Sequence, residues 1–397
     1  MRMRRGMSSG FAISVTLTLA AVLPCACGKR DEAPPPASSS AAVVAARTNP
    51  DWPIFRGDPA LTGTAAADLS DTLSPAWSIS LGGEIKSSPV IGGSRVFIGS
   101  TTGTLCTLDL ADGRERWRYA AGAPIEASPL LVGDTVYVGD GNGVLHAVGA
   151  ADGTSRWKFT TGQNIAGSAN FAELPDGKKL VLFGSYDANL YAVDAETGQE
   201  VWPHRPKGFI NGTPAVTDGR VVFGGCDAIL RLLSLADGTR TGRVDVGAYL
   251  PSSPAVRAGR AYAGHYDDAL VCIDLARPAV VWEFRDRQQP APFFAPPAVT
   301  ADILVAGARN GRVYALAPAD GTLRWSFQTQ GDVDAGPVIC GDKVVVASRD
   351  GHLYLLRLAD GTEAWSADIG SAISSSPAVA DGMVVFGADD GRVYAYR

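Results

Sequence analysis

An all-β fold built from a repeated four-stranded unit is predicted by three features of this sequence. Seven of its eight tryptophans, Trp77, Trp117, Trp157, Trp202, Trp282, Trp325 and Trp365, share one register, with gaps of 40, 40, 45, 80, 43 and 40 residues. The gap of 80 is two periods, with Gly242 at the skipped position. A tight turn precedes most of them, at Asp112-Gly113, Asp152-Gly153, Thr197-Gly198, Asp237-Gly238, Asp320-Gly321 and Asp360-Gly361. Ser-Pro or Thr-Pro follows, as at Ser88-Pro89, Ser128-Pro129, Thr213-Pro214, Ser253-Pro254 and Ser376-Pro377. A period near 40 residues filled by several short strands is that of a β-propeller.

One unit can be read strand by strand. Ser87–Ile91 is an apolar run, Gly92-Gly93 a turn, Arg95–Gly99 a second strand and Thr102-Gly103 another turn. Thr104–Leu110 alternates, Asp112-Gly113 turns, and Glu115–Tyr119 carries the tryptophan. Short runs of Val, Ile and Tyr suit pleated strands, and Asp-Gly supplies the positive φ that tight hairpins need.

Counting closes the ring. Inner strands begin near Ser87, Ala127, Gly167, Gly212, Ser252, Ala295, Ala335 and Ser375, and outer strands centre on the seven tryptophans and Gly242. The last inner strand reaches Arg397 with no outer strand after it, and Trp77 lies on an outer strand with no inner strand before it. The two are expected to complete one blade, so residues 75–397 read as eight four-stranded antiparallel blades closed by the Trp77 strand, without the open edges that invite aggregation.

Ahead of the ring stand three other segments. Met1–Arg5 is basic, Phe11–Leu23 is an apolar run of 13 residues, and Pro24-Cys25-Ala26-Cys27 is small, so residues 1–26 read as an export signal. The run is short of the roughly 20 residues a spanning helix needs. The cleavage region resembles a bacterial lipoprotein lipobox, which implies lipidation of Cys27 and, with Gly28 rather than Asp after it, transport to the outer membrane. A periplasmic or secreted protein cleaved near Ala26 is the other reading. Residues 27–50, rich in Pro, Ala and Ser, read as a disordered tether. Residues 51–74 form a strap, with Trp52 and Phe55 expected against the body and Arg56 and Asp58 expected as an ion pair fixing it.

Composition excludes several functions. The formal charge is −6, from 35 basic and 41 acidic residues. Without Arg2, Arg4 and Arg5 of the leader the basic count is 32 and the charge −9, so nothing basic enough to wrap nucleic acid remains. The sequence holds no HExxH, GxSxG or P-loop, and no Cys and His at metal-ligand spacing. His146, His204, His265 and His352 occupy different repeats and read as surface or packing residues, and Asp267-Asp268 and Asp389-Asp390 as turn residues rather than calcium loops. Four cysteines lie beyond the leader; of their pairings, Cys226 with Cys272 is the most plausible for adjacent blades.

The segment Ala192-Val193-Asp194-Ala195-Glu196-Thr197-Gly198-Gln199-Glu200-Val201-Trp202 resembles the A-x-D-x-x-T-G-x-x-x-W motif of pyrroloquinoline-quinone (PQQ) type propeller repeats. Other units keep parts of it, such as Asp109, Gly113 and Trp117, and Arg277-Pro278 breaks the turn in the fifth. The resemblance implies that the seven registered tryptophans are structural, each packed between neighbouring blades. Length, repeat number, leader and tether are similar to those of the BamB lipoproteins of the outer-membrane β-barrel assembly machinery. That similarity implies a non-enzymatic interaction scaffold with protein partners, that machinery among them, and no cofactor. The alternative it carries is a periplasmic oxidoreductase or quinone sensor using PQQ and calcium. Quinoprotein dehydrogenases of this repeat type often have adjacent cysteines, and there is no Cys-Cys pair here.

Comparison of the repeats within the chain separates packing from free positions. Four residues before each Pro or its equivalent stands an apolar residue: Ile85, Ile125, Ile165, Ile210, Leu250, Phe293, Val333 and Ile373. The next position holds Lys86, Glu126, Ala166, Asn211, Pro251, Phe294, Asp334 and Ser374, a mixture no packing rule demands, and is expected to ring the channel mouth. Around it are expected Tyr186, Asp187, His265, Tyr266, Asp267, Asn310, Asp350 and Asp389. The candidate partner-binding face is therefore Lys86, Glu126, Asn211, Tyr249, Phe293, Phe294, Asp334, Arg309 and Arg349, because aromatic and arginine side chains on rigid loops suit protein recognition.

Overall fold

The structure, a computed structural model, describes residues 51–397 except Lys207. The leader, Cys27 and the tether lie outside the described residues. Eight sheets form among the described residues, seven of four strands and one of five, and every blade is an antiparallel meander. Blade 1 comprises Val90–Gly92, Arg95–Ser100, Thr104–Asp109 and Glu115–Ala120. Its first strand starts later than the sequence suggested. Pro89 has no N–H to give a ladder, and the Ser88 N–H goes instead to Ser128 Oγ of blade 2 at 3.2 Å.

The ring closes as expected. Blade 8 takes Ala378–Ala380, Met383–Gly387 and Arg392–Tyr396 from the C-terminus and Pro75–Ser80 from the N-terminal side. Trp77 is paired with Ala395 and Ile79 with Val393, and Ser74 and Arg397 exchange two backbone hydrogen bonds at 2.7 and 3.0 Å.

The apolar core sits in the seams between blades. One cluster joins Phe97 and Leu105 of blade 1 to Val136 and Val138 of blade 2; another joins Leu230 and Leu232 of blade 4 to Val271 and Ile273 of blade 5. Each tryptophan seals the outer part of a seam. The indole N–H of Trp77 donates to Leu110 O at 2.8 Å, that of Trp202 to Leu235 O at 3.1 Å and that of Trp325 to Leu358 O at 2.9 Å, each in the following blade. Six of the seven rings lie flat on the glycine of that blade's turn, while Trp365 meets Tyr396 edge-on: a Cβ on Gly113 would come 2.6 Å from the Trp77 indole, and one on Gly153 2.8 Å from that of Trp117. Gly113 has φ +71°, so this glycine is required both by the turn and by its neighbour's indole. Trp202 and Trp325 are buried and the other five half-buried, which makes them structural wedges with one edge at the rim. Burying rings of this size contributes on the order of 2–3 kcal/mol per seam.

A second wedge lies deeper. Ile125 sits where a Cβ of Gly99 would be, Ile165 against Gly139 and Phe293 against Gly264. All eight residues of the apolar ring are at most 1 % exposed.

The strap does something no repeat pattern announces. Trp52 exchanges backbone hydrogen bonds with Ile91 of blade 1 at 2.7 and 2.8 Å, and Pro53 O accepts from Leu131 of blade 2. Pro59 O accepts from Val216 of blade 4 and, at 2.8 Å, from Asn170 Nδ2 of blade 3. Ala60, Thr62 and Gly63 carbonyls then accept from Val256, Val299 and Ile339 of blades 5, 6 and 7. Thr64–Ala65 adds a short parallel strand to blade 7, and Leu69 and Leu73 pack in the cluster that contains blade 8. The strap thus circles the lower end of the torus, visiting the blades in order and satisfying inner-strand N–H groups that face the channel.

One expectation is corrected, and the open question of the cysteines is answered. Arg56 and Asp58 form no ion pair: Arg56 Nη2 donates to the carbonyls of Pro297 and Pro337, at 3.3 and 2.5 Å, and Asp58 accepts from Thr62 N at 3.2 Å. Cys226 and Cys272 are free thiols. Cys272 is buried on the third strand of blade 5, where burial pushes its thiol up to about 11, and Cys226 lies in an upper loop of blade 4.

Candidate functional site: the upper face and channel mouth

Loops that enter the inner strands and loops that join second to third strands emerge together on the upper face, and the first-to-second hairpins and the Asp-Gly turns lie below. The second-to-third hairpins are held rigid by clamps. Tyr191, Tyr354 and Tyr394 hydroxyls donate to Asp187, Asp350 and Asp390 at 2.7–2.8 Å, four residues back in each case. Asn310 with Tyr314 and Asp227 with Arg231 occupy the same positions in blades 6 and 4. Asp187, Asn310 and Asp350 are thus spent on loop architecture. Tyr354→Phe is expected to cost about 1 kcal/mol without altering the fold, read as a lower urea midpoint at unchanged m.

The mixed ring lines the central cavity as expected. Lys86, Glu126, Ala166, Asn211, Pro251, Phe294, Asp334 and Ser374 surround a space of ≈ 190 Å³, with Phe55 of the strap closing it from below. The side chains divide the face in two. Across blades 7, 8, 1 and 2 it is ionic: Lys86 Nζ lies 2.9 Å from Glu84 and 3.4 Å from Glu126. Asp334 accepts from Arg309 Nε at 2.8 Å and lies 4.0 Å from Arg349. Arg349 Nη1 donates to Ser374 Oγ at 3.3 Å, and Ser374 in turn to Asp389 at 3.2 Å. Burial holds the Asp389 carboxyl above its ordinary value.

Across blades 3 to 6 the face is aromatic. Tyr186 and Phe209 stack at 5.5 Å, Tyr249 meets Tyr266 edge-on at 6.4 Å, and Tyr266 packs on Phe294 at 4.7 Å. The Arg309 guanidinium lies 3.6 Å over the Phe294 ring, a cation–π contact that joins the two halves. Phe209, Tyr249 and Tyr266 are 47 %, 53 % and 50 % exposed. They flank an open groove of ≈ 990 Å³ that also touches Asn211, Cys226, Ala248 and Asp267.

Eight of the nine sequence-predicted face residues fall on this surface. Phe293 does not: it is 1 % exposed, wedged against Gly264 and packed on Phe284 and Tyr314, because its position belongs to the apolar ring. His265 is also buried, with Nδ1 accepting the Asp267 N–H at 3.1 Å. His146 is a packing residue, held between Asp140 at 2.9 Å and the Tyr119 hydroxyl at 3.0 Å, and burial lowers its pKa. Phe209 was missed; its one signal is that it stands directly before Ile210 of the apolar ring, the position that Tyr249 holds before Leu250.

Among the described residues no three His, Cys, Asp or Glu side chains converge as metal ligands. Glu126 and Asp334, the two carboxylates of the inner mouth ring, are both engaged by cations. The space is below the ~300–1,000 Å³ of ordinary small-molecule clefts.

A family model described as the outer membrane protein assembly factor BamB (PQQ_2) matches residues 64–185, 141–241, 226–334 and 309–397. Solved structures share the fold at low identity. BamB from Moraxella catarrhalis is 19 % identical with a TM-score of 0.68, over 82 % of this chain and 97 % of that one. The computationally designed Ika8 protein is 18 % identical with a TM-score of 0.70, over 81 % and 99 %. Quinohemoprotein alcohol dehydrogenase from Comamonas testosteroni is 16 % identical with a TM-score of 0.74, over 88 % and 81 %. No curated protein matches the chain significantly in sequence.

Proposed function

The chain belongs to the PQQ_2 family, whose model is described as the outer membrane protein assembly factor BamB, and from that premise we propose that it is an exported, non-enzymatic scaffold that docks protein partners on its upper face. Lipidation at Cys27 would hold it at the outer membrane on the periplasmic side, and the 27–50 tether would let the body work at a distance from the bilayer. The β-barrel assembly machinery is the proposed partner.

The observation that carries this reading is the row of exposed aromatics Phe209, Tyr249 and Tyr266 beside the ionic half of the face. Large exposed rings that already pack on one another, as Phe209 on Tyr186 and Tyr249 and Phe294 on Tyr266 do, bind partners at low entropic cost, because they need little further ordering on association. Arg309, stacked on Phe294 and forked onto Asp334, is set at the boundary where an apolar anchor and a charged rim would meet.

Affinity capture from native membranes tests it. The wild-type chain should recover components of the assembly machinery, and Tyr249→Ala with Tyr266→Ala should lower recovery to about a tenth, as loss of one hot spot does. Charge reversal at Arg309 and Arg349 should also weaken capture, with the thermal midpoint kept within a few degrees. Equal recovery by all variants would argue against this face. The second reading, an oxidoreductase, draws on the fold likeness to the quinohemoprotein dehydrogenases. Dye-linked activity after addition of PQQ and calcium would favour it.

A further inference from the structure

The channel is lined by hydroxyl donors that no protein acceptor among the described residues takes up. In six blades the hydroxyl before the inner strand belongs to Ser88, Ser128, Ser168, Thr213, Ser253 or Ser376. Each accepts one backbone N–H from the preceding blade, at 2.8–3.2 Å. All six side chains are more than nine-tenths buried and line the cavity. A hydroxyl whose oxygen is occupied in this way still holds its proton, and among the described residues no carbonyl or carboxylate accepts it. Ser252 Oγ, on the same wall, has no protein partner among the described residues.

The ring of hydroxyls is interrupted in blades 6 and 7, where the positions are Pro296 and Gly336. Arg56 of the strap lies there. A Cβ on Gly336 would come 2.5 Å from Arg56 Nη1, and the Gly336 N–H donates to Ser376 Oγ at 2.8 Å. Arg56 is 1 % exposed, and among the described residues its Nε and Nη1 have no hydrogen-bond partner. Its two acceptors are neutral carbonyls, and burial pulls its pKa down to about 9, against the opposing charge of Asp58, which does not pair with it directly. A cation sealed from water needs a counter-charge.

We propose that the channel is a binding site for a small oxyanion, a carboxylate or an inorganic tetrahedral anion, for which the six hydroxyls supply the donors and Arg56 the opposite charge. The mouth does not bar it: Glu84, Glu126 and Asp334 are each engaged by Lys86, Arg309 or Arg349. Asn211 Oδ1 is a buried acceptor on the same wall. Rotation of that amide turns its NH₂ to the cavity and its oxygen to the Cys226 thiol. The inference concerns the channel and is independent of partner docking on the loops above it.

The test uses the full chain and three probes, sodium sulfate, phosphate and acetate, titrated calorimetrically against sodium chloride at matched ionic strength. Saturable binding of one of them below about 10 mM is expected, with crystals soaked in selenate placing an anomalous peak on the channel axis. Ser128→Ala with Ser253→Ala removes two donors and leaves the strap intact, and should weaken binding at least tenfold. Arg56→Met should abolish it, provided its near-UV spectrum matches wild type. Absence of saturation, equal affinity in the double variant, or a selenate peak only outside the channel would each overturn the proposal.

Discussion

Deletion of Pro75–Leu81 is expected to abolish the cooperative native fold. The segment is the whole fourth strand of blade 8, paired from Pro75–Tyr396 to Ser80–Arg392. Without it the Arg392–Tyr396 strand becomes an open edge, the kind that recruits a second chain. The Trp77 indole also leaves Gly113, so the seam between blades 8 and 1 opens at the rim. The strap is lost as well. Seven extended residues span roughly 20 Å, and joining Ser74 directly to Gly82 cannot leave both the Ser74–Arg397 hydrogen bonds and the upper loop at Leu81–Gly391 in place. Near-UV circular dichroism and light scattering after gel filtration should report loss of tertiary signal and oligomers. A monomer with a sharp melt near the wild-type midpoint would contradict the closure.

Much of this architecture is legible in the sequence because it rests on side chains that repeat. The wedge of Trp77 on Gly113 is written as two letters of one motif, and Ile125 or Ile165 in the deeper ring recurs at a fixed distance from proline. Position Lys86 and its equivalents could be placed at the mouth because its residue type varies while its neighbours do not. The path of residues 51–65 was not legible, since its contacts with the blades are mostly backbone hydrogen bonds, which no side-chain pattern encodes. Two of its bends place non-glycine residues, Arg56 and Leu61, at φ 65° and 59°, against the usual residue preference. Phe293 was assigned to both ring and face because an aromatic at a packing position looks the same in sequence as one at a binding position. The structure separates them through Gly264, whose missing Cβ makes the room that Phe293 fills.

Exchanging Gly242 and Pro278 for the residues of the regular repeat should give strongly non-additive stabilities. In sequence these are two separate departures, a missing tryptophan in blade 4 and a broken turn in blade 5. In space they are one: a Cβ on Gly242 would come 2.9 Å from Pro278 Cγ, so the proline ring occupies the seam where an indole lies elsewhere. Pro278 stands at the place of Gly113, whose N–H donates to Asp109 O at 2.9 Å, a bond that proline cannot make. Gly242→Trp alone drives an indole into that ring and should cost ~1–3 kcal/mol by overpacking. Pro278→Gly alone empties the seam and frees the unfolded chain, for about 1–2 kcal/mol. Together they restore a turn with an available N–H and a flat glycine surface under the indole, with Leu275 O in the position of Leu110 O to accept the indole N–H. The double variant should therefore melt near wild type, with a coupling of at least ~2 kcal/mol in urea titrations, well outside the additivity of independent sites. Additive losses would mean that the seam between blades 4 and 5 is packed on a different plan from the others, and that the tryptophan wedge is not the interchangeable unit from which this ring is assembled.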